Sequence, residues 1–381
     1  MSKLLLATFL IVLVASFIFA GQMQNALAKQ DNDKGKRVRV MSDSEDKISA
    51  AKSQGCEIVR EAKKLKALVC PAEVAASLEL QEDIKLFTDS TVANSQIGAN
   101  LVESSGNTGQ GRKIVVLDTG YNYNHPDLAS SYIGGKDFVN NDNDPIDDNG
   151  HGTLVAGLIT ADGIRWGAKG AAPDAGIIVG KVLDSAGSGF FSDVVAAIYW
   201  AVDGPDGIAG NSDDFRADAI NLSMGTAAPY LYKGYCNTQM PDIRDAIKYA
   251  FDRGTVVVVA AGNHGSDGVS IPGCISYSLT VGAVNANDVV ASFSGRGTSV
   301  DVSAPGVSLL STYQSGYATG SGTSLATPIV SATVALMKHE RPWLSAIRVQ
   351  NILFDTALDL GKVGDDYAYG YGRIVASEAV G

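Results

Sequence analysis

Hydrophobic positions along the chain fall into two rhythms. Between about Lys36 and Phe87 the apolar runs are short: a strand in KRVRVM, a helix in DKISAAKSQG, a hairpin from CEIVRE and KLKALVC, a helix in PAEVAASLELQ and a strand in IKLF. This β-α-β-β-α-β order predicts a small α+β unit of ferredoxin-like arrangement. From Gly111 onward near-continuous apolar strands alternate with helical stretches: KIVVLD (113–118), AGIIVGKVL (175–183), AINLS (219–223), TVVVVAA (255–261) and SLTVGAV (278–284). Strands without polar alternation are buried on both faces, so the pattern predicts a doubly wound α/β fold with a mostly parallel central sheet and helices on both sides. In such sheets, function sits beyond the carboxyl ends of the strands.

The first residues stand apart from both rhythms. Lys3 precedes an uncharged run, Leu4 to Ala20, and a small-residue stretch follows in which Ala26-Leu27-Ala28 has the A-x-A form of an export-signal cleavage site. The expected organisation is a signal peptide over 1–28, cleaved near Ala28 or Ala20, the small unit over 29–89 and the large one over 90–381. A secreted, extracellular protein follows from this reading, with an uncleaved anchor as its alternative.

Charge sharpens the division. Residues 1–93 hold 13 Lys+Arg against 12 Asp+Glu, whereas residues 94–381 hold 17 against 29, within an overall net charge of -11. Clustered basic residues are missing, so no nucleic-acid partner is expected. Acids of the large part are nearly all Asp, which suits turns and oxygen-ligand loops. Export makes the four cysteines candidates for disulfides rather than metal ligands. Cys56 and Cys70 flank Lys63 symmetrically, so a hairpin would set them opposite one another; Cys236 and Cys274 could make the second pair.

Chemistry gathers at strand ends and helix starts. KIVVLD delivers Asp118 before Thr119-Gly120, AINLSMG delivers Ser223, and TVVVVAAGN delivers Asn263. Asn149-Gly150-His151-Gly152-Thr153 opens one apolar helix, and Gly322-Thr323-Ser324-Leu325-Ala326-Thr327-Pro328 opens another. A hydroxyl is a weak nucleophile at neutral pH; it needs an imidazole to take its proton and a carboxylate to hold that imidazole's tautomer.

The motifs DTG, NGHGT, AAGN and GTSLATP, in this order, resemble the subtilisin-like serine proteases, or subtilases, from about Gln96 to the C-terminus. The resemblance implies a secreted serine endopeptidase acting on protein and peptide substrates through an acyl-enzyme, with Asp118 orienting the imidazole, His151 as general base and acid, Ser324 as nucleophile and Asn263 as oxyanion donor. It also implies a primary pocket between Ser223-Met224-Gly225 and Ala260-Ala261-Gly262 with Ser270 at its floor. An uncharged floor suggests apolar or medium-sized P1 residues. Leu154 and Leu325 depart from the family, which usually has His and Met there; neither change removes a catalytic group.

The resemblance further implies structural calcium, with Asp127 matching a carboxylate of the family's tight site. Two acidic loops are additional candidates: Asp142, Asp144, Asp147 and Asp148, then Asp203, Asp206, Asp213 and Asp214. The small unit would be a propeptide that assists folding, is cut off autocatalytically between Leu86 and Ser90, and inhibits; slow folding is expected of a parallel sheet with non-local pairing. A monomer is expected. Competing readings are a catalytically silent binding or inhibitory relative, which the full set of catalytic residue types disfavours, and an esterase-type α/β hydrolase, which would need a G-x-S-x-G elbow.

Overall fold

The structure is a computed structural model that describes residues 37–62, 65–82, 91–164 and 167–381. Two compact units divide between Leu86 and Phe87. The predicted export signal, the IKLF strand and the bonds from Leu86 to Ser90 lie outside the described residues.

In the small unit β1 (Arg37–Ser42), β2 (Glu57–Ala62), β3 (Leu65–Pro71) and β4 (Gln81–Glu82) form an antiparallel sheet in the order β2-β3-β1-β4. Helices Glu45–Ser53 and Ala72–Ser77 complete the β-α-β-β-α-β order. Ser44 starts the first helix by accepting the Lys47 amide on its side chain, and Glu45 and Asp46 place negative charge at the positive end of the helix dipole. The second helix ends four residues short of the span read from the sequence, and Leu80 then turns the chain into β4. Val40, Ile48, Leu68 and Val74 form the core, with the Cys56–Cys70 disulfide buried among them.

The large unit is built on seven strands: β5 (Lys113–Asp118), β6 (Tyr132–Asp137), β7 (Gly176–Lys181), β8 (Ala219–Leu222), then, after a short β9 (Leu231–Tyr232), β10 (Val256–Ala260), and, after a short β11 (Val269–Ser270), β12 (Leu279–Val284) and β13 (Val302–Pro305). Their order is β13-β12-β10-β8-β5-β7-β6, and every neighbouring pair is parallel. Chain order reverses at β5, which has β7 on one side and β8 on the other. Crevices form at such a reversal, beyond the carboxyl ends.

One face is covered by helices Phe191–Asp203 and Pro241–Asp252, whose Val194, Ala197, Ile198, Ile243, Ala246 and Ile247 recur at helical spacing and pack on Val115, Ile220 and Val257. On the other face lies helix Thr323–Glu340, buried along nearly its whole length against β8, β10, β12 and β13 and against helix His151–Thr160. β14 (Leu309–Tyr313) and β15 (Gly316–Gly320) form a hairpin beside the His151 helix. Cys236 and Cys274 are joined, as read from the sequence.

Candidate active site

β5 ends at Asp118, a fully buried carboxylate. Helix His151–Thr160 begins at His151, and His151 Nδ1 lies 2.7 Å from Asp118 Oδ1. Since the carboxylate can only accept, Nδ1 carries the proton in this contact and Nε2 is left with a lone pair. Asp118 Oδ1 also accepts the Thr119 amide at 2.7 Å, while Oδ2 is buried without a partner among the described residues. Burial alone would disfavour the imidazolium, but the Asp118 charge and hydrogen bond, with the Asp147 charge behind them, outweigh it and hold the His151 pKa above its ordinary value.

A second carboxylate frames this pair. Asp147 Oδ1 accepts Thr119 Oγ1 at 2.9 Å and the Asn149 and Gly150 amides at 3.0 and 2.8 Å; Oδ2 accepts the Thr153 amide at 2.8 Å and its hydroxyl at 2.6 Å. Burial opposes ionisation, but these donors keep its pKa below the usual carboxylate value. The first turn of a helix has amides with no partner inside the helix, and Asp147 satisfies one of them while bonding to the residue after Asp118. Close approach of the two segments requires glycine: a Cβ at Gly152 would stand 2.1 Å from the Gly120 carbonyl, and one at Gly120, where φ is 123°, 2.7 Å from that of Pro145.

Lys181, at the end of β7, pairs in register with Asp118 and is almost wholly buried. Its ammonium donates to Thr119 O at 2.6 Å, Leu183 O at 3.1 Å and Asp148 Oδ1 at 2.6 Å. The charge is tolerated because carbonyls and a carboxylate replace its water. Sequence reading missed Lys181; the one signal was a lone charge at the carboxyl end of an apolar run.

Ser324 lies in the first turn of its helix, so its amide has no helical acceptor. Pro328 stands four residues on and has no N–H, which frees the Ser324 carbonyl from its helical bond. Ser223 Oγ takes that carbonyl at 2.8 Å. Asn221 Nδ2 holds Ser223 Oγ in turn, and Ser331 Oγ donates to Asn221 Oδ1, a buried relay that sequence reasoning did not find. Asn263 Oδ1 accepts the Thr323 amide at 2.9 Å and its hydroxyl at 3.1 Å, which turns Nδ2 outward. A Cβ built at Gly322 would lie 2.8 Å from Ser324 Oγ and 3.5 Å from Asn263 Nδ2, so hydroxyl and amide face the same side. Among the described residues no hydrogen bond joins Ser324 Oγ to His151; such bonds are often long before substrate binds.

His151 opens onto a cleft of about 520 Å³ shared with Leu183, Phe190, Phe191, Ser223, Met224, Gly225 and Ile271. Ser270 packs against the α-carbons of Gly225 and Gly262 and donates from Oγ to Thr226 O. Ala260 and Ala261 are buried at the end of β10. His125 is buried and bonded to Gly316 O, a structural role.

A scan against protein-family models matches the subtilase family over residues 109–372. Relatives include a thermophilic serine proteinase of Bacillus sp. (strain AK1), 39% identical over 71% of this chain and 62% of that protein. Subtilisin Savinase of Lederbergia lenta is 38% identical over 75% of this chain and 96% of its own length. Thermitase of Thermoactinomyces vulgaris is 38% identical over 71% and 89%. The chain belongs to the subtilase family. It is thus a subtilisin-like serine protease by kinship, and its seven-stranded parallel sheet agrees.

Each carboxylate expected as a calcium ligand has donors within the protein. Among the described residues no group of three or more His, Cys, Asp and Glu could hold a metal ion. Asp127 is buried, with Oδ1 accepting the Ile164 amide and Oδ2 the Tyr317 hydroxyl, both at 2.8 Å. Asp142 caps the Asp144 amide, Asp144 accepts Tyr123 Oη, and Asp147 and Asp148 are engaged as above. Asp203 accepts Tyr249 Oη; Asp206, Asp213 and Asp214 accept amides of their own loop. Among the described residues Asp214 Oδ1 is buried without a hydrogen bond.

Asp147→Asn replaces an acceptor oxygen by an NH₂ group that faces other donors. Urea unfolding of the variant in a Ser324→Ala background should show a loss of about 2 kcal/mol or more. The wild-type advantage should be present at neutral pH and vanish as pH falls through the lowered Asp147 pKa. A loss under about 0.5 kcal/mol would remove Asp147 as the frame of the site.

Proposed function

We propose that this subtilase is a secreted serine endopeptidase, made as a self-processing precursor, in which Asp118, His151 and Ser324 form the catalytic triad. The single observation that carries the proposal is the 2.7 Å contact between a buried Asp118 and His151 Nδ1 at the edge of a cleft. Ser324 Oγ attacks the scissile carbonyl while His151 Nε2 takes its proton. Negative charge develops on the carbonyl oxygen and is met by Asn263 Nδ2 and the Ser324 amide. The imidazolium, stabilised by Asp118, then protonates the leaving amine, and an acyl-enzyme on Ser324 remains. Water attacks the ester in the same way, with His151 again first base and then acid.

Substrate choice follows from the walls. Phe190 and Phe191 give one side of the cleft an aromatic rim, and Ser270 brings no charge to the pocket floor. Apolar or medium-sized P1 residues fit such a pocket. The small unit is proposed as propeptide, cleaved between Leu86 and Ser90, with the signal before it directing export. What supports the precursor reading is an independent β-α-β-β-α-β unit ahead of the protease unit.

Calcium is the structural ion the family resemblance implies, and it is proposed at Asp127, whose two oxygens keep lone pairs beside the Tyr317 hydroxyl and the Ile164 amide. A bound cation predicts a Tm lowered by excess EDTA. An unchanged Tm would remove calcium from the proposal.

The precursor should be followed by mass over time beside Ser324→Ala. Wild type is expected to lose the small unit, digest casein and cleave a phenylalanine-type peptide anilide faster than a lysine-type one, while Ser324→Ala stays whole and inert. If both stay intact and silent, the chain is a binding relative with the shape of a protease.

A further inference from the structure

We propose that a cavity at the amino-terminal end of the large unit's sheet binds a phosphate group. The cavity, about 490 Å³, is bordered by Arg112, Arg216, Arg253 and Lys338, with Asp214 and Asp218 as its carboxylates. Residues 94–381 carry only 17 Lys+Arg against 29 Asp+Glu, so four cations at one cavity reverse the sign of the unit that contains them. The excess of two positive charges matches a doubly charged oxyanion.

The innermost cation is Lys338, 5% exposed, which donates to Gly254 O at 2.7 Å. Its partner Asp218 is shared: Oδ1 lies 3.9 Å from Lys338 Nζ and 3.8 Å from an Arg112 NH, while Oδ2 accepts the Lys113 amide. One carboxylate at salt-bridge limit therefore faces two cations, and although an Arg112 NH reaches Lys338 O at 3.5 Å, its Nε is buried without a partner among the described residues. Burial and the neighbouring Arg112 hold the Lys338 ammonium below its ordinary pKa despite Asp218, whose own carboxyl burial pushes up.

Two arginines stand nearer the mouth. Arg253 lies 3.4 Å from the centre of the Tyr249 ring, which supports its guanidinium as a flat plate. Arg216 is exposed, has no hydrogen bond or ion pair among the described residues, and sits at φ 51°, a conformation non-glycine residues adopt at a cost. Arginine's fixed fork of donors suits phosphate oxygens, and a bound phosphate would take up the Arg112 and Arg216 donors together. The volume lies in the range of small-molecule pockets, about 300–1,000 Å³, so an organic remainder has room.

Arg112, Asp218 and Thr255 immediately precede β5, β8 and β10, whose far ends lead to Asp118, Ser223 and Asn263. The cavity is therefore across the sheet from the cleft, and loss of its outer arginines should leave peptide hydrolysis without phosphate unchanged.

The test is calorimetry on full-length Ser324→Ala, titrated at constant ionic strength first with inorganic phosphate and then with glucose 6-phosphate. Saturable one-site binding is expected, weakened by about tenfold or more in the added double variant R216Q/R253Q, whose Tm stays that of the parent. Tighter binding of glucose 6-phosphate would identify a phosphorylated small molecule; equal or weaker binding would identify free phosphate. No saturable heat with either, or the same affinity in the double variant, would overturn the site.

Discussion

The contact between Asp118 Oδ1 and His151 Nδ1 requires a strand end and a helix start, 33 residues apart in the chain, to meet within hydrogen-bond distance. Neither residue could achieve this alone. Asp147 fixes the meeting by bonding to Thr119 on the strand side and to Asn149, Gly150 and Thr153 on the helix side. Lys181 closes the third side by holding Thr119 O and Asp148. The site is thus a small network of buried charges, each compensated by fixed dipoles or by another charge, and such networks are valuable only when nearly every member is satisfied. Asp118 Oδ2 is the exception, and its unshared negative charge favours a cation on the neighbouring imidazole.

Sheet topology brings the other half of the site to the same place. Asp118 ends β5 and Ser223 follows β8, the strands beside the reversal in chain order, while Asn263 follows β10 on the next position outward. Ser324 arrives from the opposite direction, at the start of a helix packed under β8 and β10. The Pro328 ring removes one helical bond, and Ser223 uses the freed carbonyl to register helix against strand. Helix placement and strand placement are thereby coupled through Asn221 and Ser331, inside the core rather than in a loop.

Much of this was legible in the chain. β5, β7, β8, β10 and β12 were readable because both faces are buried and their residues are apolar almost without break. β6, YIGGKD, and β13, VSAP, are the edge strands; one is half exposed and the other only four residues long, so neither left an apolar run. Asp118, His151, Ser324 and Asn263 stood out by motif, whereas Lys181, Asn221 and Ser331 did not, because a lone polar residue in an apolar segment has no spacing to be recognised by. Asp147 and Asp148, read as calcium candidates, face amides, hydroxyls and the Lys181 ammonium in the structure: composition announces a cluster of carboxylates but cannot say which donors will face them.

The central claim is that His151 acts as the general base under the control of Asp118. It is tested most directly by the pH dependence of kcat/KM for the processed wild type and for Asp118→Asn. The acid limb of the wild type should fall above the ordinary imidazole value of about 6.5. In Asp118→Asn the limb should move to lower pH and kcat should drop by about 10⁴-fold. A wild-type limb at or below about 6.5, or a variant whose limb does not move, would contradict the account.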